Sequence, residues 1–231
     1  MGKANMDNLK REAGRSAAEQ IEDGMCIGLG TGSTAYFAIE RVAERIKEDG
    51  LKISAVSTSF QTTFLCHQWN IPLLDIATVE HLDLAIDGAD EIDPRKNLIK
   101  GAGAAHTLEK IVAAMAETFY VVADQTKEVN ILGTSMPVPV EILPHAYQST
   151  YKRILNLGAE KCILRMAESG KQGPIVSDNG CFIIDAWFKD IDLPKALEQE
   201  LNLIPGVIDN GLFAGYASKV YLATDSGIKI F

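Results

Sequence analysis

The chain has 231 residues, 47% hydrophobic and 23% charged, with a formal net charge of -9. That length suits one generous α/β domain or a main domain with a smaller lobe, and the balance excludes a disordered or fibrous chain. An acidic excess without any Lys/Arg-rich run argues against a nucleic-acid partner, and no apolar run approaches the ~18 residues of a bilayer span.

The opening MGKANMDNLKREAG lacks the apolar core of a secretory signal. Position 6 is Met, where a myristoylation pattern wants Ser or Thr. Cys26, Cys66, Cys162 and Cys181 stand far apart with no C-x-x-C pair, which suits buried reduced thiols better than a zinc site or a disulfide framework. The expected location is the cytoplasm, with no membrane partner.

Residues 7–22 read as a helix, with Leu9, Ala13, Ala17 and Ile21 at four-residue steps. MCIGLG (25–30) reads as a strand, and Ser33 takes the N-cap position of a helix carrying Phe37, Ile39, Val42 and Ile46. Strand 53–56 leads into STSFQTT and a helix through about Trp69. Strands 73–74 and 82–86 follow, the second running into DGADEID. A helix over about 104–116 precedes strand 119–123. This alternation predicts an α/β fold: a mostly parallel, Rossmann-like sheet with helices on both faces.

Beyond Leu132 the texture changes. TSMPVPVEILP carries three of the eight prolines and reads as a crossover or sheet edge. Residues 145–157 read as a helix, and 162–166, 175–177 and 182–185 as short strands, the last two joined by an Asp178-Asn179-Gly180 turn. Helix 193–202 and strand 206–208 follow. The expected organisation is a small α+β lobe, 133–206, inserted into an α/β domain of 1–132 and 207–231. Segments 219–223 and 228–230 return to the main sheet as a hairpin.

Gly28-Leu29-Gly30-Thr31-Gly32-Ser33-Thr34 lies between strand and helix. Glycines there let backbone approach a ligand, a helix N-terminus favours an anion, and Thr31, Ser33 and Thr34 add hydroxyls. The dinucleotide fingerprint fails, with Ser33 at its third glycine and VSTS where an acid ~20 residues on is needed. The lysine of a nucleotide P-loop is absent. Two readings remain: a single-phosphate binder, or a glycine turn with an ordinary helix cap.

Asp87-Gly88-Ala89-Asp90-Glu91-Ile92-Asp93 follows the strand LDLAI, where open α/β sheets bind ligands. Crowded carboxylates repel, so one has a raised pKa or takes a cation. The spacing does not match a calcium loop and no His or Cys clusters nearby, so no metal is expected. An exposed acidic turn is the alternative, for Asp93 before Pro94 above all. Lys100-Gly101-Ala102-Gly103 supplies a cation and a second flexible turn. In the next helix Leu108, Ile111, Val112 and Met115 form an apolar stripe at ~100° per residue, with Glu109 beside it. That boundary suits a tuned general base or an ordinary surface glutamate. Lys127, after the next strand, is placed to close over a phosphate or hydroxyl, and Lys10 is a further substrate-binding candidate. His67, His81 and His145 have no evident partners.

GLGTGST, STSFQT, DGADEID, KGAGAA..EKI, ADQTK and PGV...GLF run in order across residues 9–230, and with them the chain resembles the ribose-5-phosphate isomerase type A family. The resemblance implies an aldose–ketose isomerase of the pentose phosphate pathway. It would interconvert D-ribose 5-phosphate and D-ribulose 5-phosphate without a cofactor, as a homodimer or homotetramer. It implies Glu109 as the base that carries a proton between C1 and C2 through an enediolate. Asp87 and Lys100 would handle oxygen protons, open the furanose ring and steady the oxyanion. Implied substrate contacts are Thr31, Gly32, Ser33, Thr34, Asp87, Gly88, Ala89, Asp90, Lys100, Gly101, Ala102, Gly103 and Lys127. Ala102 stands where the family has glycine. His106 replaces an apolar residue and either perturbs Glu109 or faces solvent. The alternative is a non-catalytic sugar-phosphate sensor, although the segment before Gly28 is short for a helix-turn-helix and Glu109 is kept. Related deaminases or lactonases lack the DGADEID and KGAG combination, and an NAD-binding dehydrogenase is least supported.

Overall fold

The computed structural model describes residues 3–231. Met1 and Gly2, where an N-terminal lipid would attach, lie outside the described residues. The chain order is α1 (Lys3–Ala18), β1 (Cys26–Leu29), α2 (Ala35–Glu48), β2 (Ser54–Ser57), α3 (Phe60–Gln68), β3 (Leu82–Gly88), β4 (Glu91–Ile92), β5 (Leu98–Ile99), α4 (His106–Met115) and β6 (Ala116–Asp124). Then come β7 (Val138–Ile142), α5 (Tyr147–Asn156), β8 (Lys161–Leu164), β9 (Phe182–Trp187), α6 (Pro194–Asn202), β10 (Val207–Asn210), β11 (Leu212–Phe213), β12 (Lys219–Thr224) and β13 (Gly227–Ile230).

These elements fall into two compact units, 1–89 with 108–127 and 216–231, and 90–107 with 128–215. The lobe expected over 133–206 lies inside the second unit, which also takes 90–107, 128–132 and 207–215. The two-residue strands β4 and β5 draw the 90s there, because β5 pairs with β11.

In the first unit a sheet of order β13-β12-β6-β3-β1-β2 is parallel throughout except at the β12–β13 hairpin. The chain steps from β1 outward to β2, then crosses to β3 on the other side of β1. The topological switch point therefore lies between β1 and β3, the crevice where open sheets take ligands. Ile27 and Leu29 join a core with Leu9, Ala13, Ala17, Ile39 and Val42 of α1 and α2. Gly28 faces the opposite side, where Val112 of α4 packs so closely that a Cβ would overlap its Cγ1. Helices thus cover both faces. The cap of α2 is Thr34, not Ser33, and it makes no side-chain cap bond. Residues 73–74 form no strand beyond an isolated bridge from Leu73 to Ala55.

Helix α1 is fastened to α2. Arg45 Nη1 donates to the carbonyls of Ala18 and Ile21 at 2.7 and 2.8 Å, satisfying acceptors a helix end leaves open. Arg11–Glu40, Arg15–Glu44 and Arg41–Glu19 pairs line the same seam, and hydrogen bonding from Arg41 holds the Glu19 carboxyl below its usual pKa. Exposed pairs of this kind add little individually. The close crossing is at Gly14, whose missing Cβ would lie 2.8 Å from both Ala38 N and Thr34 O.

In the second unit a four-stranded antiparallel sheet, β10-β7-β9-β8, accompanies the three-stranded β11-β5-β4. Val138, Val140, Ile142, Ile154, Ile184, Leu201 and Leu212 belong to its core. The proline-rich segment is therefore no edge: β7 is an interior strand with all five residues buried. Proline lacks the backbone donor but keeps its carbonyl acceptor. The β10 pairing stops at Val140, and Pro139 contributes its carbonyl, which accepts Gly211 N–H at 2.7 Å. Segment 175–177 likewise forms only isolated bridging, through Val176 and Phe182.

Burial pushes the Cys66 thiol up to about 12 and Cys162 to about 11, while Cys26 is half-buried. Among the described residues no helix is long and apolar enough to cross a membrane.

Alanine normally stabilises a helix interior relative to glycine by about 0.5–1 kcal/mol. At position 14 the sign is expected to invert: Gly14→Ala should lower stability by about 1–3 kcal/mol through overpacking, read from urea unfolding midpoints at constant m-value.

Candidate active site

On the first unit the predicted residues gather at the carboxyl ends of the parallel strands. Asp87 near the end of β3 is 3% exposed. Its Oδ1 accepts the N–H groups of Thr31 at 3.0 Å and Gly88 at 2.7 Å. Gly30 is obligatory because the Asp87 carboxylate fills the space a Cβ would need. The carboxylate thereby fixes the glycine turn of β1 to the end of β3.

The turn is also held from β2. Thr31 Oγ1 donates to Ser59 Oγ at 2.7 Å and lies 2.8 Å from Thr58 Oγ1. Thr62 Oγ1 donates to the Gly30 carbonyl at 2.6 Å. Thr58, Ser59 and Thr62 are all buried, and Ser59 caps α3 by accepting Thr62 N–H. The hydroxyl of Thr31 is thus directed at the STSFQT segment, and Thr34 is buried. Gly32 and Ser33 form the exposed part of the turn, and Ser33 Oγ accepts from Lys10 Nζ at 2.9 Å.

Glu109 is 6% exposed. The expected stripe is not the buried one: Ile111 is 45% exposed, while His106, Glu109, Lys110, Val112 and Ala113 are buried. Val112 packs against Gly28, and the helix is turned so that Glu109 lies within its buried arc rather than at the boundary. Helix α4 feeds directly into β6, so it runs against the strand direction, and Glu109 sits one turn beyond Val112 toward the strands' carboxyl ends. Gly88 and Ala89 follow Asp87. Lys127 is half-buried and ends a 3₁₀ turn after β6, which Asp124 fixes by accepting Thr126 N–H at 3.0 Å.

On the second unit Asp90 Oδ2 accepts Ala102 N–H at 2.9 Å, and Asp90 N–H donates to Ile99 O at 2.8 Å. Lys100 is 3% exposed, with Nζ 5.5 Å from the centre of the Phe213 ring. Gly101, at φ +105°, packs against the imidazole of His106, which is fully buried rather than facing solvent. Ala102 and Gly103 are exposed. The carbonyls of Gly101 and Ala102 accept from Arg165, which pairs with Asp185.

The acidic run is not an exposed turn. Glu91 is fully buried and accepts N–H groups from Gly133, Ser135 and Met136. Asp93 is 2% exposed and accepts those of Arg95 and Asn97, both at 2.8 Å. Among the described residues one metal-capable group occurs, His81, Asp83 and Glu117, with ligand atoms within 4.8 Å of one another. It stands at the start of β3, opposite the end bearing Asp87, with His81 and Glu117 exposed.

Thr58, Ser59, Thr62, Phe213 and Arg165 carry no local signal of a role: STSFQT and GLF are motifs without chemistry of their own, and the partners of Arg165 lie 20 and about 60 residues away.

Fold and geometry define an open α/β protein with a candidate small-molecule site at the carboxyl ends of its parallel strands. A family model described as ribose 5-phosphate isomerase A (phosphoriboisomerase A) matches residues 54–227. Ribose-5-phosphate isomerase A of Methanothermobacter thermautotrophicus is 47% identical over 224 residues, covering 96% of this chain and 97% of that protein. The structure of ribose 5-phosphate isomerase A from Methanocaldococcus jannaschii matches with a TM-score of 0.93 at 40% identity, covering 97% of this chain and 98% of that one. A D-ribose-5-phosphate isomerase in complex with phospho-erythronic acid matches with a TM-score of 0.95 at 45% identity, over 98% of this chain and 99% of that one. The chain belongs to the ribose 5-phosphate isomerase A family.

Thr62→Val keeps the shape of the buried side chain but strips the Gly30 carbonyl of its donor. An orphaned buried acceptor costs about 1–3 kcal/mol, and a loss of that size is expected in chemical denaturation, with the m-value unchanged.

Proposed function

We propose that this chain interconverts D-ribose 5-phosphate and D-ribulose 5-phosphate, with Glu109 as the base. The observation that carries the assignment is the near-full-length identity of 47% to a ribose-5-phosphate isomerase A. Glu109 withdrawn from bulk water supports its role. In the related complex the ligand is phospho-erythronic acid, whose carboxylate imitates the planar oxyanion of an enediolate on a phosphorylated chain.

In the proposed mechanism Asp87 and Lys100 move oxygen protons to open the furanose ring. Glu109 then takes the C2 proton of the open aldose, and the electron pair passes to the carbonyl oxygen at C1. The resulting enediolate is steadied by the Lys100 ammonium and backbone N–H groups, as oxyanions are in water-poor sites. Glu109 returns its proton to C1 while the O2 proton is relayed to O1 through Asp87 and Lys100, so that C1 ends as CH2–OH and C2 as the ketone. Gly32 and Ser33, with Lys10 on the Ser33 hydroxyl, suit the phosphate at the N-terminus of α2. Thr31 and Thr34 shape that turn, and Lys127 closes over it. Gly88, Ala89, Asp90, Gly101, Ala102 and Gly103 complete the contacts.

We extend the proposal to a cytoplasmic homo-oligomer. Buried thiols fit a reducing compartment, and Phe60 and Phe64, 58% and 68% exposed and stacked at 6.3 Å, fit a covered surface. Light scattering on the purified protein should give a multiple of 25.1 kDa; a monomer mass at working concentration removes this part. For the chemistry, ribose 5-phosphate incubated with the protein should yield ketose. Glu109→Gln should cut turnover by at least ~10²-fold, the lower range for a general base, with KM largely kept. Near-normal turnover would take Glu109 out of the mechanism.

A further inference from the structure

We propose that Arg165 is a positioning residue for the isomerisation: it fixes the peptide groups of the turn after Lys100 so that the Gly103 amide faces the substrate's oxygens. The proposal rests on the isomerase assignment above.

Arg165 follows β8 and its side chain is 14% exposed. Nη1 donates to two successive carbonyls, Gly101 O at 2.9 Å and Ala102 O at 3.0 Å. Nε donates to Asp185 Oδ2 at 2.8 Å, and Nη2 pairs with Asp185 Oδ1. Asp185 therefore fixes the guanidinium plane by a two-point fork, and the remaining edge is spent on the turn. A lysine ammonium has the charge but not this planar geometry.

The consequence follows from the peptide bond. In a trans peptide the C=O and the N–H of one unit point in opposite directions, and the described chain contains no cis bond. Drawing the carbonyls of Gly101 and Ala102 to Arg165 sends the N–H groups of Ala102 and Gly103 the other way. The Ala102 N–H indeed reaches Asp90 Oδ2 at 2.9 Å on that side. By the same peptide geometry the Gly103 N–H points away from Arg165, and Gly103 is exposed. The turn is held in an unfavourable shape, since Ala104 sits at φ +58°, a region that residues with a Cβ seldom occupy. Such backbone persists only where its surroundings hold it; the Gly101 carbonyl accepts both the Ala104 N–H at 3.0 Å and Arg165, which clamps the turn from outside. An amide aimed beforehand at a developing oxyanion stabilises the transition state more than the bound sugar, so the clamp acts mainly on kcat.

A cleft of about 650 Å³, lined in part by Ala102, Arg165, Met166 and Asp185, opens beside the guanidinium and gives a small cation access to its place. The test is Arg165→Ala, assayed for ketose formation from ribose 5-phosphate with and without millimolar guanidinium chloride, with sodium chloride as control. The expected result is a folded variant whose kcat falls at least about tenfold, a loss within the range of a misplaced reacting group, with a smaller change in KM. Guanidinium, and not sodium, should restore activity severalfold without stimulating the wild type. Unchanged kcat, or a loss that guanidinium does not restore, overturns the proposal. Should the alanine variant fail to fold, Asp185→Asn keeps Arg165 and loosens its fork; a smaller kcat loss is expected, and none would overturn the clamp. An inactive wild type would fail the isomerase assignment itself, whereas an active wild type beside an unaffected Arg165→Ala fails only this proposal.

Discussion

A carboxylate withdrawn from water must find N–H groups, and the acidic run after β3 is arranged around that need. Four carboxylates fall within Asp87–Asp93, close enough to repel strongly if they shared a space. They do not share one. Asp87 takes the amides of Thr31 and Gly88, Asp90 that of Ala102, Glu91 those of 133–136, and Asp93 those of Arg95 and Asn97. Each acid organises a different loop, and each bond to a charged acceptor is worth about 1.5–3 kcal/mol. The run is a set of staples, and two of them, Asp87 and Asp90, hold the turns that carry the proposed substrate contacts.

The same logic operates at Glu141 in β7, which is fully buried and accepts from Thr107 Oγ1, Ser177 Oγ and Asn179 Nδ2. Its charge also helps to raise the Cys181 thiol pKa, after burial itself. The strand that bears it is interior because it pairs with β10 on one side and β9 on the other. Pro139 lies within the β7–β9 ladder and offers its carbonyl to Gly211, so it does not mark a sheet edge.

That strand shows what was legible in the sequence and what was not. Alternating strands and helices, the glycine turn, the DGADEID loop and the C-terminal hairpin are local patterns, and each stands where periodicity and turn chemistry put it. The misjudged features depend on distant partners. Proline composition suggested an edge for β7, but Gly211 and Asp185 decide its place. Hydrophobic periodicity rotated α4 wrongly because it assumes that charge faces water, whereas Glu109 and Lys110 are buried and Ile111 is not. Strands β4, β5 and β11 are two residues long, too short for any pattern, yet they decide which unit owns the 90s. The Thr31 hydroxyl, read as a ligand donor, is engaged by a cluster from the next βα unit that only the parallel pairing of β1 and β2 brings near.

The staples also answer how a chain of net charge -9 can receive the anionic substrate proposed for it. At physiological salt, charges beyond about 8 Å are largely screened, so the overall excess matters less than the groups lining the site. Asp87 Oδ1 and Asp90 Oδ2 already accept backbone amides, which spreads part of their charge into the backbone. The glycine turn then presents the exposed Gly32 and Ser33, with Lys10 on the Ser33 hydroxyl, at the positive end of α2. The carboxylates are therefore part of the scaffold of the proposed site: Asp87 holds the glycine turn to the end of β3, and Asp90 holds the turn after Lys100.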